Sequence, residues 1–303
     1  MIGVFFISFI NLPGRVQGQR NAHAFLINSP YPNSEKISAI GAFRGEKLSF
    51  DNLSAVTSID IENMQQILLR RGFRQNQITV LDKEELSIGG VKVAIKNVVP
   101  QLDKNALIIF YFTGHGIQVE NLDKLDPEID RLDETLVFKE EIWVDDDINK
   151  FYVENLSGFR NIMILDACYT GTSFKLRKTR REWLVQMSKK DFGDDFLKLI
   201  EGIPGCASYY SDGQEKRFSM LYFGASGDSQ QAKAYLSGSW LTTHLKTIFD
   251  KPNLNSNFNY PLLYCAIKSF ATSDLGFEPT YVEVGNVTKY NLNEPLKTEY
   301  EQN

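Results

Sequence analysis

The chain has 303 residues, 43% of them hydrophobic and 23% charged, the composition of a soluble globular protein able to bury a full core. A formal net charge of −5 argues against nucleic acid as the main partner, and no apolar run of about 18 residues is present, which excludes a membrane-spanning helix. Three cysteines, Cys168, Cys206 and Cys265, are too few and too scattered for a disulfide framework, and no C-x-x-C metal spacing occurs.

Residues 1–20 differ in character from the rest of the chain. Val4 to Ile10 is a short apolar run, and Val16-Gln17-Gly18-Gln19 has the look of a processing site, yet a positively charged start is missing. An ordinary N-terminal strand and an export signal both fit, so the compartment, cytoplasmic or exported, stays open. The folded domain is expected over residues 21–288, with a polar, frayed tail over 289–303.

Ala22 to Ile27 reads as the first core strand, with His23 on its face. Residues 29–57 are rich in Pro, Ser, Asn and Gly and read as a long surface loop. Asp60 is expected to cap a helix whose apolar face is Ile61, Met64, Ile67 and Leu68, ending at Gly72. Ile78 to Leu81 is a short strand. Val91, Ala94, Ile95 and Val98 mark the next helix, which Pro100 stops. Ala106 to Phe112 is an apolar strand that runs into Thr113-Gly114-His115-Gly116. This alternation of strand and helix is the pattern of a mostly parallel sheet.

Residues 119–150 are acidic, and Asp145-Asp146-Asp147-Ile148 is placed to cap the next helix. Such a run is either a solvated loop or a calcium site, because hard cations take several carboxylate oxygens. Its spacing is not that of an EF-hand. Asn161 to Leu165 is the next buried strand, and it leads into Asp166-Ala167-Cys168-Tyr169-Thr170-Gly171. In open α/β sheets, chemistry collects at the carboxyl ends of strands. Cys168 would sit at one strand tip and His115 at another. A thiol needs a base or a cation beside it to react at neutral pH, and the histidine can serve.

After Gly171 the chain turns basic, from Lys175 to Lys190. One reading is an exposed helix with Trp183, Leu184 and Met187 on one face. Ser219 to Ser226 is a strand that ends near Asp228. Further helices start at Gly238, with Leu241, Leu245 and Ile248 on one face, and run from Leu262 to Phe270. Glu278 to Val284 reads as the last strand.

The pair of motifs Tyr111-Phe112-Thr113-Gly114-His115-Gly116 and Asp166-Ala167-Cys168-Tyr169-Thr170-Gly171 resembles that of the caspase-like cysteine peptidases, whose histidine lies about 50 residues upstream of the cysteine. Asp166 stands where caspases have Gln, as in the metacaspase, paracaspase and orthocaspase branch. Asp133-Glu134-Thr135-Leu136-Val137 and Asp145-Asp146-Asp147-Ile148 resemble further segments of that branch.

The resemblance implies a three-layer α/β fold, a mostly parallel central sheet flanked by helices. It implies a Cys/His dyad, His115 and Cys168, acting on peptide or protein substrates through a thioester. It implies an oxyanion site at the backbone N–H groups of Gly116 and Cys168. It further implies specificity for Arg or Lys through Asp166 and Asp228, self-cleavage within 175–190, no required cofactor, and calcium as an activator. A monomer is the favoured state. A caspase-fold scaffold that does not cut, or a different cysteine hydrolase, is the alternative.

Overall fold

A computed structural model describes residues 21–30, 32–39, 50–82, 86–120, 132–170, 218–227, 230–251, 259–271, 278–285, 287, 290 and 295–297, and the backbone of 179–182 and 208–212. In chain order the elements are β1 (Ala22–Ser29), α1 (Ser34–Ser38), α2 (Ser54–Arg70), β2 (Ile78–Leu81), α3 (Ile88–Val98), β3 (Leu107–Gly114), β4 (Gly116–Glu120), β5 (Leu132–Val137), β6 (Ile142–Val144) and α4 (Asp145–Asn155). Then come β7 (Arg160–Asp166), β8 (Thr179–Glu182), β9 (Ser208–Asp212), β10 (Ser219–Gly224), β11 (Ala234–Tyr235), β12 (Gly238–Ser239), α5 (Trp240–Phe249), α6 (Tyr260–Ala271) and β13 (Thr280–Val284).

The main sheet has the order β2-β1-β3-β7-β10-β13-β9-β8. From β2 to β10 neighbouring strands pair in parallel. β13 runs antiparallel to β10, and β8 antiparallel to β9. The central strands are buried on both faces, which is why they read as continuous apolar runs. Their side chains still alternate between two cores. Ala24, Leu26, Ile109, Tyr111, Ile162 and Ile164 pack with α2, α5 and α6. Phe25, Ile27, Phe110, Phe112, Met163 and Leu165 pack with α3 and α4 on the other side. The period of two along each strand thus builds a three-layer sandwich.

β4, β5 and β6 form a separate antiparallel sheet. The chain passes from the main sheet to this smaller one at His115, the residue between β3 and β4. Gly114 is shaped by that passage: a Cβ there would lie 2.7 Å from the Ser29 carbonyl oxygen.

Several expectations need correcting. Asp60 does not cap α2. The helix starts at Ser54, and Asp60 lies in its buried face with Thr57, Ile61 and Met64, because hydrogen bonds from other elements satisfy its carboxylate. Asp145 to Asp147 fill the first turn of α4, where negative charge is favoured, while Val144 is the N-cap. The part of the basic run over 179–182 is a strand, and 183–190 lies outside the described residues. The tail is not frayed at Tyr290 and Leu296, both buried. The Tyr290 hydroxyl accepts from Asn161 N at 2.6 Å and donates toward the Ser219 carbonyl at 2.8 Å. Residues 1–20 lie outside the described residues, as does Gly171.

Candidate active site

β3 and β7 are direct neighbours, and Thr113 sits opposite Asp166 in their register. His115 and Cys168 each lie two residues beyond that pair, so the sheet carries both to one rim. The approach is close. A Cβ on Gly116 would lie 2.1 Å from the Cys168 carbonyl oxygen, so no larger residue fits between the histidine turn and the cysteine. Both side chains are half-buried.

The His115 imidazole is held from one side. Its Nε2 lies 2.8 Å from the Asp51 carbonyl oxygen. A carbonyl can only accept, so Nε2 carries the hydrogen and Nδ1 keeps its lone pair. The Phe50 ring packs edge-on against the imidazole with centroids 5.0 Å apart. Phe50 itself leans on a small cluster of Ile37, Ile117, Val119 and Val137, and its N–H donates to the Ser34 hydroxyl at 3.3 Å. Burial lowers the His115 pKa below the ordinary value, opposed by the Asp51 carbonyl and the nearby Asp51 carboxylate. The ring is therefore a neutral base at neutral pH.

Cys168 comes after β7 and precedes a tight turn. Tyr169 adopts φ 54°, a left-handed conformation unusual for a large side chain. The turn is pinned: Tyr169 N donates to the Gln230 carbonyl at 3.0 Å, and the Tyr222 hydroxyl donates to the Thr170 carbonyl. The Cys168 thiol points to the Ala232 carbonyl at 4.0 Å. Burial raises its pKa, and the Asp166 charge adds to the rise against the Ala232 contact. At rest this is a protonated thiol on the same rim as a neutral imidazole, with each group turned to a backbone carbonyl. Among the described residues Cys168 is the free cysteine. Cys265, buried in α6, is disulfide-bonded, a bridge the scattered spacing gives no reason to expect.

Asp166 points away from solvent, 2% exposed. Its Oδ2 accepts from Thr242 N at 2.8 Å and from the Thr242 hydroxyl at 2.7 Å, at the start of α5. Sequence reasoning pairs it with Asp228, which lies outside the described residues. The carboxyl that meets it electrostatically is Asp60 of α2, whose charge raises the Asp166 pKa. One signal could have found Asp60: it falls on the same helical stripe as Met64, Ile67 and Leu68, an acidic residue on a core face. Asp51 holds the ring through its backbone carbonyl, while its carboxylate adds only a charge nearby, so its side-chain type gave no mark of the contact.

Of the acidic run, residues 121–131 lie outside the described residues. Asp133, Glu134 and Asp145 are buried. Among the described residues no group of three or more His, Cys, Asp or Glu side chains is placed to hold a metal ion. No helix among these residues is long and apolar enough to cross a membrane.

The chain resembles known proteins in sequence and in fold. The family model of the caspase domain matches residues 49–264. Metacaspase-1 of Schizosaccharomyces pombe is 25% identical over 129 residues, 39% of this chain and 30% of that protein, so the match spans less than a third of that relative's length. A Geobacter sulfurreducens protein of known crystal structure superposes with a TM-score of 0.61 at 19% identity, covering 92% of this chain and 100% of its own. Caspase-1 from Spodoptera frugiperda superposes at 0.49 with 12% identity, covering 88% and 92%. The Geobacter protein shares the fold. With the family model spanning residues 49–264 of a 303-residue chain, this protein belongs to the caspase domain family, a group of cysteine peptidases.

Proposed function

We propose that the protein is a cysteine endopeptidase that cuts after Arg or Lys, with Cys168 as nucleophile and His115 as base. The observation that carries it is the packing of Gly116 against the Cys168 carbonyl, since it brings a neutral base and a free thiol to one rim. The thiol first leaves the Ala232 carbonyl. His115 Nδ1 takes its proton, and the sulfur attacks the scissile carbonyl carbon. The N–H groups of Gly116 and Cys168 are suited to hold the oxyanion. The imidazolium then protonates the departing amine, leaving a thioester. Water, deprotonated by the same imidazole, hydrolyses the thioester and restores the thiol. The Asp51 carbonyl keeps the ring in the one tautomer able to do this.

The preference for basic residues rests on charge. Asp166 lies two residues before the thiol, and Asp60 lies within its electrostatic reach. A cation between them gains charge-assisted hydrogen bonds of about 1.5–3 kcal/mol each, whereas an acidic side chain meets like charge. Asp60 joins Asp166 in this pocket, and Asp228, expected there from the family resemblance, lies outside the described residues.

The test uses reporter peptides ending in Arg, Lys or Asp, with the wild type and Cys168→Ala, with and without calcium. Arg and Lys peptides should turn over at least about tenfold faster than Asp peptides, and Cys168→Ala should be silent. Faster turnover of the Asp peptide would refute the pocket. Turnover by Cys168→Ala would refute the nucleophile.

A further inference from the structure

Asp60 and Asp166 come from α2 and from the end of β7 into electrostatic reach of each other and of Tyr111, all three buried. Asp60 Oδ1 accepts from Ser239 N at 2.7 Å, and its Oδ2 accepts from the hydroxyls of Ser239 at 2.5 Å and Thr113 at 2.7 Å. Asp166 Oδ2 accepts twice from Thr242, whose hydroxyl also lies 2.6 Å from the Tyr111 hydroxyl. Tyr111 and Thr113 are two apart on β3, so a row of hydroxyls runs from one carboxyl to the other. The Leu241 N–H also acts on the Asp166 carboxyl, while Asp166 Oδ1 is buried and makes no hydrogen bond of ordinary geometry among the described residues.

Among the described residues, the groups that act most strongly on either carboxyl include no positive charge. The other titratable residues on or next to the surrounding elements are Glu62 and Arg70 on α2, both exposed; Tyr111 on β3 and His115 just after it; Arg160 at the far end of β7 and Cys168 just after it; Lys233 just before β11 and Tyr235 on it; and His244 and Lys246 on α5. His244 faces the Trp240 carbonyl at 2.7 Å, and Lys246 pairs with Asp250. Two buried carboxyls without a counter-charge do not both ionise, because the second charge meets both desolvation and its neighbour.

We infer that the Asp60–Asp166 pair holds one proton in the free protein and releases it to solvent when an Arg or Lys side chain enters. This rests on the basic-pocket reading of the same site. The unpartnered Asp166 Oδ1 is the acceptor that the incoming N–H group satisfies. The balance closes: one carboxylate and one carboxylic acid become two carboxylates and one bound cation, so the pocket keeps one net negative charge while one proton goes to the buffer. Burial raises both carboxyls, and the Asp60 charge helps push Asp166 up to about 8. A raised value means the acid form persists up to that pH, so basic ligands bind more tightly as pH rises and the gain levels off above it.

The experiment is calorimetric titration of Cys168→Ala with an N-acetylated tetrapeptide amide ending in Arg, at pH 7 in phosphate and in Tris, buffers that differ in protonation enthalpy. The expected result is release of about one proton per peptide, and affinity that climbs by up to roughly tenfold per pH unit between pH 6 and 7. The matching citrulline peptide, equal in shape and uncharged, should bind more weakly and release none. Asp166→Asn should bind the Arg peptide without proton release; the two-buffer comparison needs no such variant. Arg binding with no proton exchanged would overturn the inference and leave the basic pocket standing. Citrulline binding as tightly as Arg would overturn the pocket, and this inference with it.

Discussion

Gly116 is the residue on which the geometry is tightest. A methyl group there would sit 2.1 Å from the Cys168 carbonyl. Gly116→Ala must push the histidine turn away from the cysteine and misdirect its own N–H. Loss of one oxyanion donor typically costs about 10² to 10³ in rate, and kcat for an Arg peptide should fall by at least that much. Thermal unfolding should show the variant still folded, because the clash is at the rim and not in either core. His115 makes a second prediction. The base must be neutral to act, and its pKa lies below the ordinary histidine value. The acid limb of kcat, measured at saturating Arg peptide, should therefore fall below about pH 6.5. Asp51→Asn keeps the backbone carbonyl but removes a charge that raises this pKa, so it should move the limb to lower pH still. A limb above the ordinary histidine value would remove His115 from the role of base.

Helix α2, strand β7 and the C-terminal segment show what the sequence could and could not say at the level of elements. The runs ending in His115 and Cys168 were legible because a doubly buried parallel strand is a continuous apolar run, and the motif at its end stands out. That these ends meet was legible only through the 53-residue spacing and the family resemblance, 168 − 115. The start of α2 was not legible, since Ser54 and Thr57 look like loop residues and Asp60 looks like a cap. Only tertiary hydrogen bonds from Ser239 and Thr113 make a carboxyl tolerable in that face. The tail hides its structure for the same reason: polar composition conceals Tyr290, whose hydroxyl serves the backbone of β7 and β10. Tyr290→Phe keeps the ring and leaves the Asn161 N–H without its partner. It should cost about 1–3 kcal/mol, read as a lower urea midpoint at unchanged slope, with catalysis untouched because Asn161 lies at the opposite end of β7 from Cys168.

For the whole molecule, the three layers place His115 and Cys168, the groups proposed to react, at the carboxyl ends of the parallel strands and the stabilising contacts elsewhere. Cys265 is bonded while Cys168 is free. The native chain should therefore titrate one thiol without reductant and three after reduction and unfolding, counted with a chromogenic disulfide. Three thiols without reductant would contradict the bridge. The edge of the main sheet has its own consequence. β8 closes it, with Thr179 opposite Ser211 and Glu182 opposite Ser208, and it lies within the basic stretch where the family resemblance implies self-cleavage. Cutting there would loosen the outermost strand and bare a row of unpaired N–H and C=O groups along β9, a ready template for another β-strand. The nicked protein is thus expected to sediment as a larger species than the intact one: maturation, in this architecture, would unmask stickiness.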